Sequence, residues 1–235
     1  MIYLYIRKTF RNKWLLYKVF IFSPILSILP ITLIQQNYNI NSSQSILHLI
    51  LWNFFYFSCF ETVNSHIKQM TSEKLYEIFI SKTSFLVYNT KEMIATSIVF
   101  LPSVIVTFIL YKYLYQITFP KFNILCLYTI AIFMCNILFM LFLLTLQLKY
   151  RNYFNKFNLF MEALSSLIGI LFPVSMLPIL LRWYSYTLPM TYIYEYSRSG
   201  IFFNIWEFLI WYIIHFILGL FCVKLAINSL RKKGI

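Results

Sequence analysis

Six apolar runs partition this chain, at residues 20–36, 46–65, 93–115, 122–148, 157–181 and 205–228. About 20 apolar residues in helical form cross the ~30 Å hydrocarbon layer of a bilayer. Backbone amides in that layer find no water to pair with, so spanning segments close their hydrogen bonds internally as helices. The runs therefore predict an all-α, polytopic membrane protein with six transmembrane helices. Pro24, Pro30 and Pro102 fall inside these runs, where neighbouring helices satisfy the freed carbonyls. Charged residues make up only 11% of the chain, against about 25% in soluble domains. The longest polar interval, residues 67–92, leaves no room for a soluble catalytic domain, so residues 1–235 read as a single transmembrane domain.

The formal net charge is +13, and basic surfaces attract polyanions. Here, however, the lysines and arginines sit in short clusters beside apolar runs, the pattern that sets membrane topology. Nucleic acid is therefore not an expected partner. With the N-terminus inside, the cytoplasmic stretches hold 16 positive residues, and the outer stretches hold only Lys112, Lys121, Arg182 and Arg198. This asymmetry predicts a multi-pass protein of the cell (plasma) membrane with both termini cytoplasmic. The segment after the fifth run then faces outward. No cleavable signal peptide is expected, because no small-residue cleavage site follows the first apolar run.

Two polar stretches carry helical patterns of their own. In residues 1–19, Tyr3, Ile6, Phe10, Trp14 and Tyr17 form an aromatic stripe, with Arg7, Arg11 and Lys18 on the adjoining arc. Such a helix lies in the headgroup layer, with membrane lipids as its partner; a plain cytoplasmic extension of the first span is the competing reading. In the cytoplasmic loop 67–92, Leu75, Ile78 and Phe79 recur at helical spacing among charged residues. An amphipathic helix with no membrane to cover suits docking into a groove of another protein.

Chemistry of its own is not expected. The four glycines, at 169, 200, 219 and 234, form no phosphate-binding G-x-x-x-x-G-K-[ST] loop, so the chain is not expected to be a nucleotide-driven motor, and any energy source must be a partner. Aspartate is missing, and His48, His66 and His215 fall on separate segments. Cys59, Cys126, Cys135 and Cys222 lie in apolar runs without metal-ligand or paired spacing. No catalytic residue, metal or bound cofactor is therefore assigned. Glu61 and Glu162 lie within spans, where an ionisable group is a functional candidate by default; each reads either as an anchor at a helix end or as part of a substrate path. His215 reads as a hydrogen-bonded helix contact.

Between the fifth and sixth runs stands Gly169-Ile-Leu-Phe-Pro-Val-Ser-Met-Leu-Pro178, followed by Pro189-Met-Thr-Tyr-Ile-Tyr-Glu-Tyr-Ser-Arg198. Each proline removes a backbone donor and disfavours helix in the residue before it, so short broken helices are expected over 169–200. Glu195 and Arg198, three apart, fall on one helix face and can pair. The pattern G-x-x-F-P-x-S-x-L-P, then P-x-T-x-x-x-E-x-x-R, resembles the signature of the ABC-2 family, the permeases of ATP-binding-cassette exporters. Its matching residues are Gly169, Phe172, Pro173, Ser175, Leu177, Pro178, Pro189, Thr191, Glu195 and Arg198.

The resemblance implies that 169–200 forms re-entrant helices that cap an export path at the outer leaflet. It also implies that the loop 67–92 couples to a separate ATP-binding subunit, which would hold ATP and Mg. The coupling residues by this likeness are Glu73, Leu75, Glu77, Ile78, Phe79 and Ser81; the family's Gly-Thr is missing, and Lys82 stands where proline is usual. A second permease copy or sibling permease is a further implied partner, and the first, second and fifth spans are the implied lining of the path. The expected cargo is an amphiphile, a drug or peptide. A lipid-linked glycan of polysaccharide or teichoic-acid type remains an alternative, as does a membrane enzyme or scaffold that transports nothing.

Overall fold

Long helices dominate this chain, and the stretch near the C-terminus where glycine and proline cluster is the broken one. The structure, a computed structural model, describes residues 3, 6, 7, 11–26, 42–71, 85–115, 122–149, 153–170, 173–199 and 204–232. Helix α1, Lys13–Tyr17, is capped by the Asn12 side chain, which accepts from the Trp14 N–H at 3.1 Å. It continues through a π-turn, Lys18–Phe22. The long helices α2 (Ser42–Thr71), α3 (Phe85–Tyr115) and α4 (Phe122–Lys149) come next. Then come α5 (Tyr153–Leu167), a 3-10 turn (Val174–Met176), α6 (Ile179–Thr187), α7 (Pro189–Ser199) and α8 (Ile205–Lys232). No strand occurs among the described residues.

The protein is an all-α membrane protein. Three helical stretches, Leu86–Leu114, Ile124–Lys149 and Ile205–Ser229, are long and apolar enough to cross a bilayer unaided. They correspond to the third, fourth and sixth expected spans. Residues 27–36 of the first run lie outside the described residues. The second run forms α2, whose 30 residues extend about 45 Å. Its apolar character is diluted by His48, Ser58, Thr62 and His66, all buried. These polar groups point into the bundle, which is how membrane helices carry them.

The fifth run departs from expectation. Drawn to residue 181, it ends as helix at Leu167, after 15 residues or about 22 Å, short of the hydrocarbon thickness. Gly169 stops it with a φ of +86°, a left-handed backbone that residues bearing a Cβ adopt at a cost. Pro173 and Pro178 then prevent the helix from resuming before Ile179.

The core lies where α2 packs on α3 and α4, with α7 wedged against α2 and α4 and α8 laid along α4. Phe54, Phe55, Phe100, Tyr128, Phe157 and Tyr194 are all fully buried in it. Only 11% of the apolar window of α8 is buried, against 56% for α3, so α8 stands at the periphery. It approaches α4 at Gly219, where an added Cβ would lie 3.0 Å from Leu141 Cδ1.

Candidate functional site

Two helix faces build a cavity of about 520 Å³ between α2 and α5. From α2 come Leu49, Trp52, Asn53, Tyr56 and Phe60; from α5 come Asn158, Met161, Glu162 and Ser165. The steps of three and four residues on each helix put these side chains on one face. Trp52, Tyr56 and Phe60 form a continuous aromatic ladder, with ring centroids 6.3 Å and then 5.9 Å apart. Ile170, beside the left-handed Gly169, lines the cavity where α5 ends. The broken segment thus begins at the cavity wall.

The two carboxylates that look alike in the sequence separate here. Glu61 pairs with Lys18 of the π-turn at 3.1 Å and is not among the cavity's lining residues. Glu162 lines the cavity as an exposed side chain beside Tyr56, with no ion pair seen among the described residues. Ser165 and Ser166 donate instead to the Glu162 backbone carbonyl. Phe157 and Leu164, on the other face of α5, are buried in the core. His215 Nδ1 lies 2.9 Å from the Trp211 carbonyl oxygen of its own helix.

The broken segment is folded by hydrogen bonds that replace those its prolines remove. The Val174 N–H, at the start of the 3-10 turn, donates to the Glu195 carboxylate at 3.2 Å. The Arg182 guanidinium donates to the carbonyls of Ser175 and, at 3.1 Å, of Leu177. Thr191 Oγ1 donates to the Ser185 carbonyl at 2.6 Å, tying α7 to α6. Tyr192 donates to the Tyr186 carbonyl at 2.9 Å. Burial, and after it the Glu207 carboxylate, holds the Tyr192 phenol above its ordinary value, so it remains a donor. Tyr194, next to Glu195, meets Trp52 edge-on at 6.1 Å. The segment and the aromatic wall of the cavity are therefore in direct contact. Met176, Ile179, Leu180 and Trp183 project outward, 68–81% exposed, as a contiguous stretch of apolar surface.

Of the motif residues, Gly169, Pro173, Pro189, Thr191 and Glu195 gather in this unit, and Pro178 starts α6 from its exposed side. Phe172 lies outside the described residues, as does the Arg198 side chain, although Arg198 belongs to the last turn of α7. The expected Glu195–Arg198 pair thus falls outside the described atoms; the partner seen for Glu195 is the Val174 N–H. Arg182 is not legible as a functional residue from its position alone. The signal that finds it is a cation four residues after Pro178, within reach of carbonyls whose helical donors the prolines exclude.

Towards the C-terminal end of α2, His66 and Glu92 of α3 lie 3.5 Å apart, both buried, and the Ser65 hydroxyl donates to Glu92. Asn136 of α4 donates to Ser97 of α3 at 3.0 Å and accepts from Cys59 of α2. These links hold α2 and α3 together at the ends of the loop expected to couple to a partner. That loop's residues Glu73, Leu75, Glu77, Ile78, Phe79 and Ser81 lie outside the described residues. Among the described residues no group of three His, Cys, Asp or Glu side chains is placed to hold a metal ion.

No curated protein matches the chain closely enough to count as a relative. A family model described as ABC-2 type transporter matches residues 2–202, which include the cavity helices and the whole broken segment. The chain belongs to the ABC-2 type transporter family.

Proposed function

We propose that this chain is the permease subunit of an ATP-binding-cassette exporter, moving an amphiphile outward with energy from ATP hydrolysed on a separate subunit. The observation that carries the reading is the α2–α5 cavity: aromatic on one wall, and ended by the turn where the broken outer segment begins. A path needs a place to hold cargo and a movable closure beyond it, and irregular backbone at membrane depth is stable only where protein or a cavity supports it. The aromatic wall favours an amphiphilic drug or peptide over a lipid-linked glycan, whose polar rings would leave that wall unpaired.

In this reading the protein sits in the plasma membrane with six spans and both termini cytoplasmic. It works with a second copy or a sibling permease. ATP and Mg bind the partner subunit; this chain supplies neither catalytic residue nor cofactor site. The loop around Glu73, Leu75, Glu77, Ile78, Phe79 and Ser81 docks the motor, and the His66–Glu92 contact passes its movement to α2 and α3. Shifting α2 moves Trp52, which presses on Tyr194 and loosens the closure held by Glu195 and Arg182. ATP-driven transport by the reconstituted pair is the experiment that tests this.

A further inference from the structure

We infer that the groove between α3 and α4 is a site for one anionic phospholipid, with an acyl chain along the groove and the headgroup phosphate at Lys112. The inference stands apart from the transport reading and needs only that the chain sits in a bilayer. Leu101, Val104, Phe108 and Lys112 step along one face of α3, and Leu125 and Thr129 line the groove from α4. Steps of three and four residues align such side chains on a helix. The groove holds about 760 Å³, within the roughly 300–1,000 Å³ of small-molecule sites. Val104 and Phe108, both buried, close its floor, while Ile105, Ile109 and Ile130 stand exposed beside it. A trough with a buried floor and exposed apolar rims opens sideways, toward the bilayer. The Thr129 hydroxyl donates to the Leu125 carbonyl of its own helix at 2.8 Å, so its proton is spent within α4.

The length of the groove and the place of its charge select the occupant. The apolar stretch of α3, Leu86–Leu114, has 29 residues and extends about 44 Å, more than the ~30 Å of hydrocarbon. In a bilayer centred on that stretch, Phe100 lies at the midplane. Lys112 then lies about 18 Å from it along the helix, beyond the ~15 Å half-thickness and level with the headgroups. From Leu101 to Lys112 the groove therefore covers one leaflet from its centre to its surface, the reach of a lipid tail. Lys112 is the one charged residue among those lining the groove, and positive side chains at this level attract anionic headgroups. Tyr113, 80% exposed, supplies an amphipathic ring that settles at the same level. A water-soluble anion would meet Lys112 and leave the apolar trough unused, and a lipid without net charge would gain less from the lysine.

The test places the full-length chain in nanodiscs of phosphatidylcholine that carry a trace of photoactivatable lipid. Two probes, a phosphatidylglycerol and a phosphatidylcholine, share the same diazirine-bearing acyl chains, and peptide mass spectrometry locates the adducts. Residues 101–113 and 125–130 are expected to take the phosphatidylglycerol about fivefold more than the phosphatidylcholine, the gain from one lysine near a headgroup. Ile210, Ile213 and Ile217 on the exposed face of α8 serve as the reference and should show no such preference. Lys112→Gln should abolish the preference in the groove, and Lys112→Arg should keep it. Thr129→Phe, which fills the trough, should lower labelling there by both probes, with wild-type circular dichroism in all three variants. Equal labelling of the groove by the two probes, or a preference that survives in Lys112→Gln, would overturn the proposal. A groove shielded from both probes in a dimeric chain would assign it to a second copy, and would overturn the proposal equally. No ATP-binding subunit enters the assay, so its failure leaves the permease reading standing, and failure of transport leaves the lipid result standing.

Discussion

Replacing Glu195 by Ala removes the acceptor of the Val174 N–H. Val174 is fully buried, and its amide donates to the carboxylate at 3.2 Å. The carbonyls nearby are already committed: Pro173 accepts from Met176, Val174 from Leu177, and those of Ser175 and Leu177 take the Arg182 guanidinium. The orphaned donor therefore has no local substitute, and leaving a buried donor unmet costs about 1–3 kcal/mol. Taking about 2 kcal/mol, the population in which the 3-10 turn lifts off α7 rises about 30-fold. A cysteine at position 174 reports this opening in intact cells through its rate of reaction with a membrane-impermeant maleimide. The expected result is slow outside labelling in Val174→Cys alone and labelling about 30-fold faster when Glu195→Ala is added. Glu195→Gln, which keeps a neutral acceptor, should fall between them. Export should be impaired by Glu195→Ala while assembly and basal ATP hydrolysis persist. An unchanged labelling rate would refute the reasoning, and labelling from the cytoplasmic side alone would reverse the topology.

Packing and docking supply two more expected outcomes. Gly219→Val places methyl groups into Leu141, where even a Cβ would stand 3.0 Å from Cδ1, and should cost about 1–3 kcal/mol, read as a lower thermal midpoint in detergent. Gly219→Ala should be close to neutral, since its gain in helix propensity, about 1 kcal/mol, offsets the few tenths of an ångström that Leu141 must yield. Changing Ile78 and Phe79 together to Asp removes two apolar anchors worth roughly 1.5–3 kcal/mol each when buried. It should abolish co-purification with the ATP-binding subunit while the helical signal is kept; unchanged co-purification would remove the loop from the docking assignment.

Much of the architecture is legible in local chemistry. The apolar runs at 93–115, 122–148 and 205–228 announce helices because length and hydropathy are properties of a stretch, not of its neighbours. The broken segment is legible because Pro173, Pro178 and Pro189 act on their own backbone and on the residue before them. The fifth helix ends earlier than its apolar run because apolar residues continue through Gly169, whose left-handed φ, rather than any loss of hydropathy, stops the helix.

The features that are not legible depend on pairing across distance. Glu61 and Glu162 are alike until Lys18, 43 residues away, is seen to reach only the first. Arg182 counts as one more outer charge until the fold brings the carbonyls of Ser175 and Leu177 to it. The contact of Trp52 with Tyr194 joins residues far apart in the chain, and no periodicity within either helix predicts it. The cavity itself exists only as the meeting of two helix faces.

The measurement that tests the central claim most directly is transport by the chain reconstituted with its ATP-binding subunit in sealed vesicles, with the cytoplasmic face outward. The account predicts that ATP and Mg drive an amphiphile such as tetraphenylphosphonium into the lumen against its gradient, and that the permease alone hydrolyses no ATP. Sustained hydrolysis by this chain alone, or tight assembly with an active motor that moves no amphiphile inward, would contradict it.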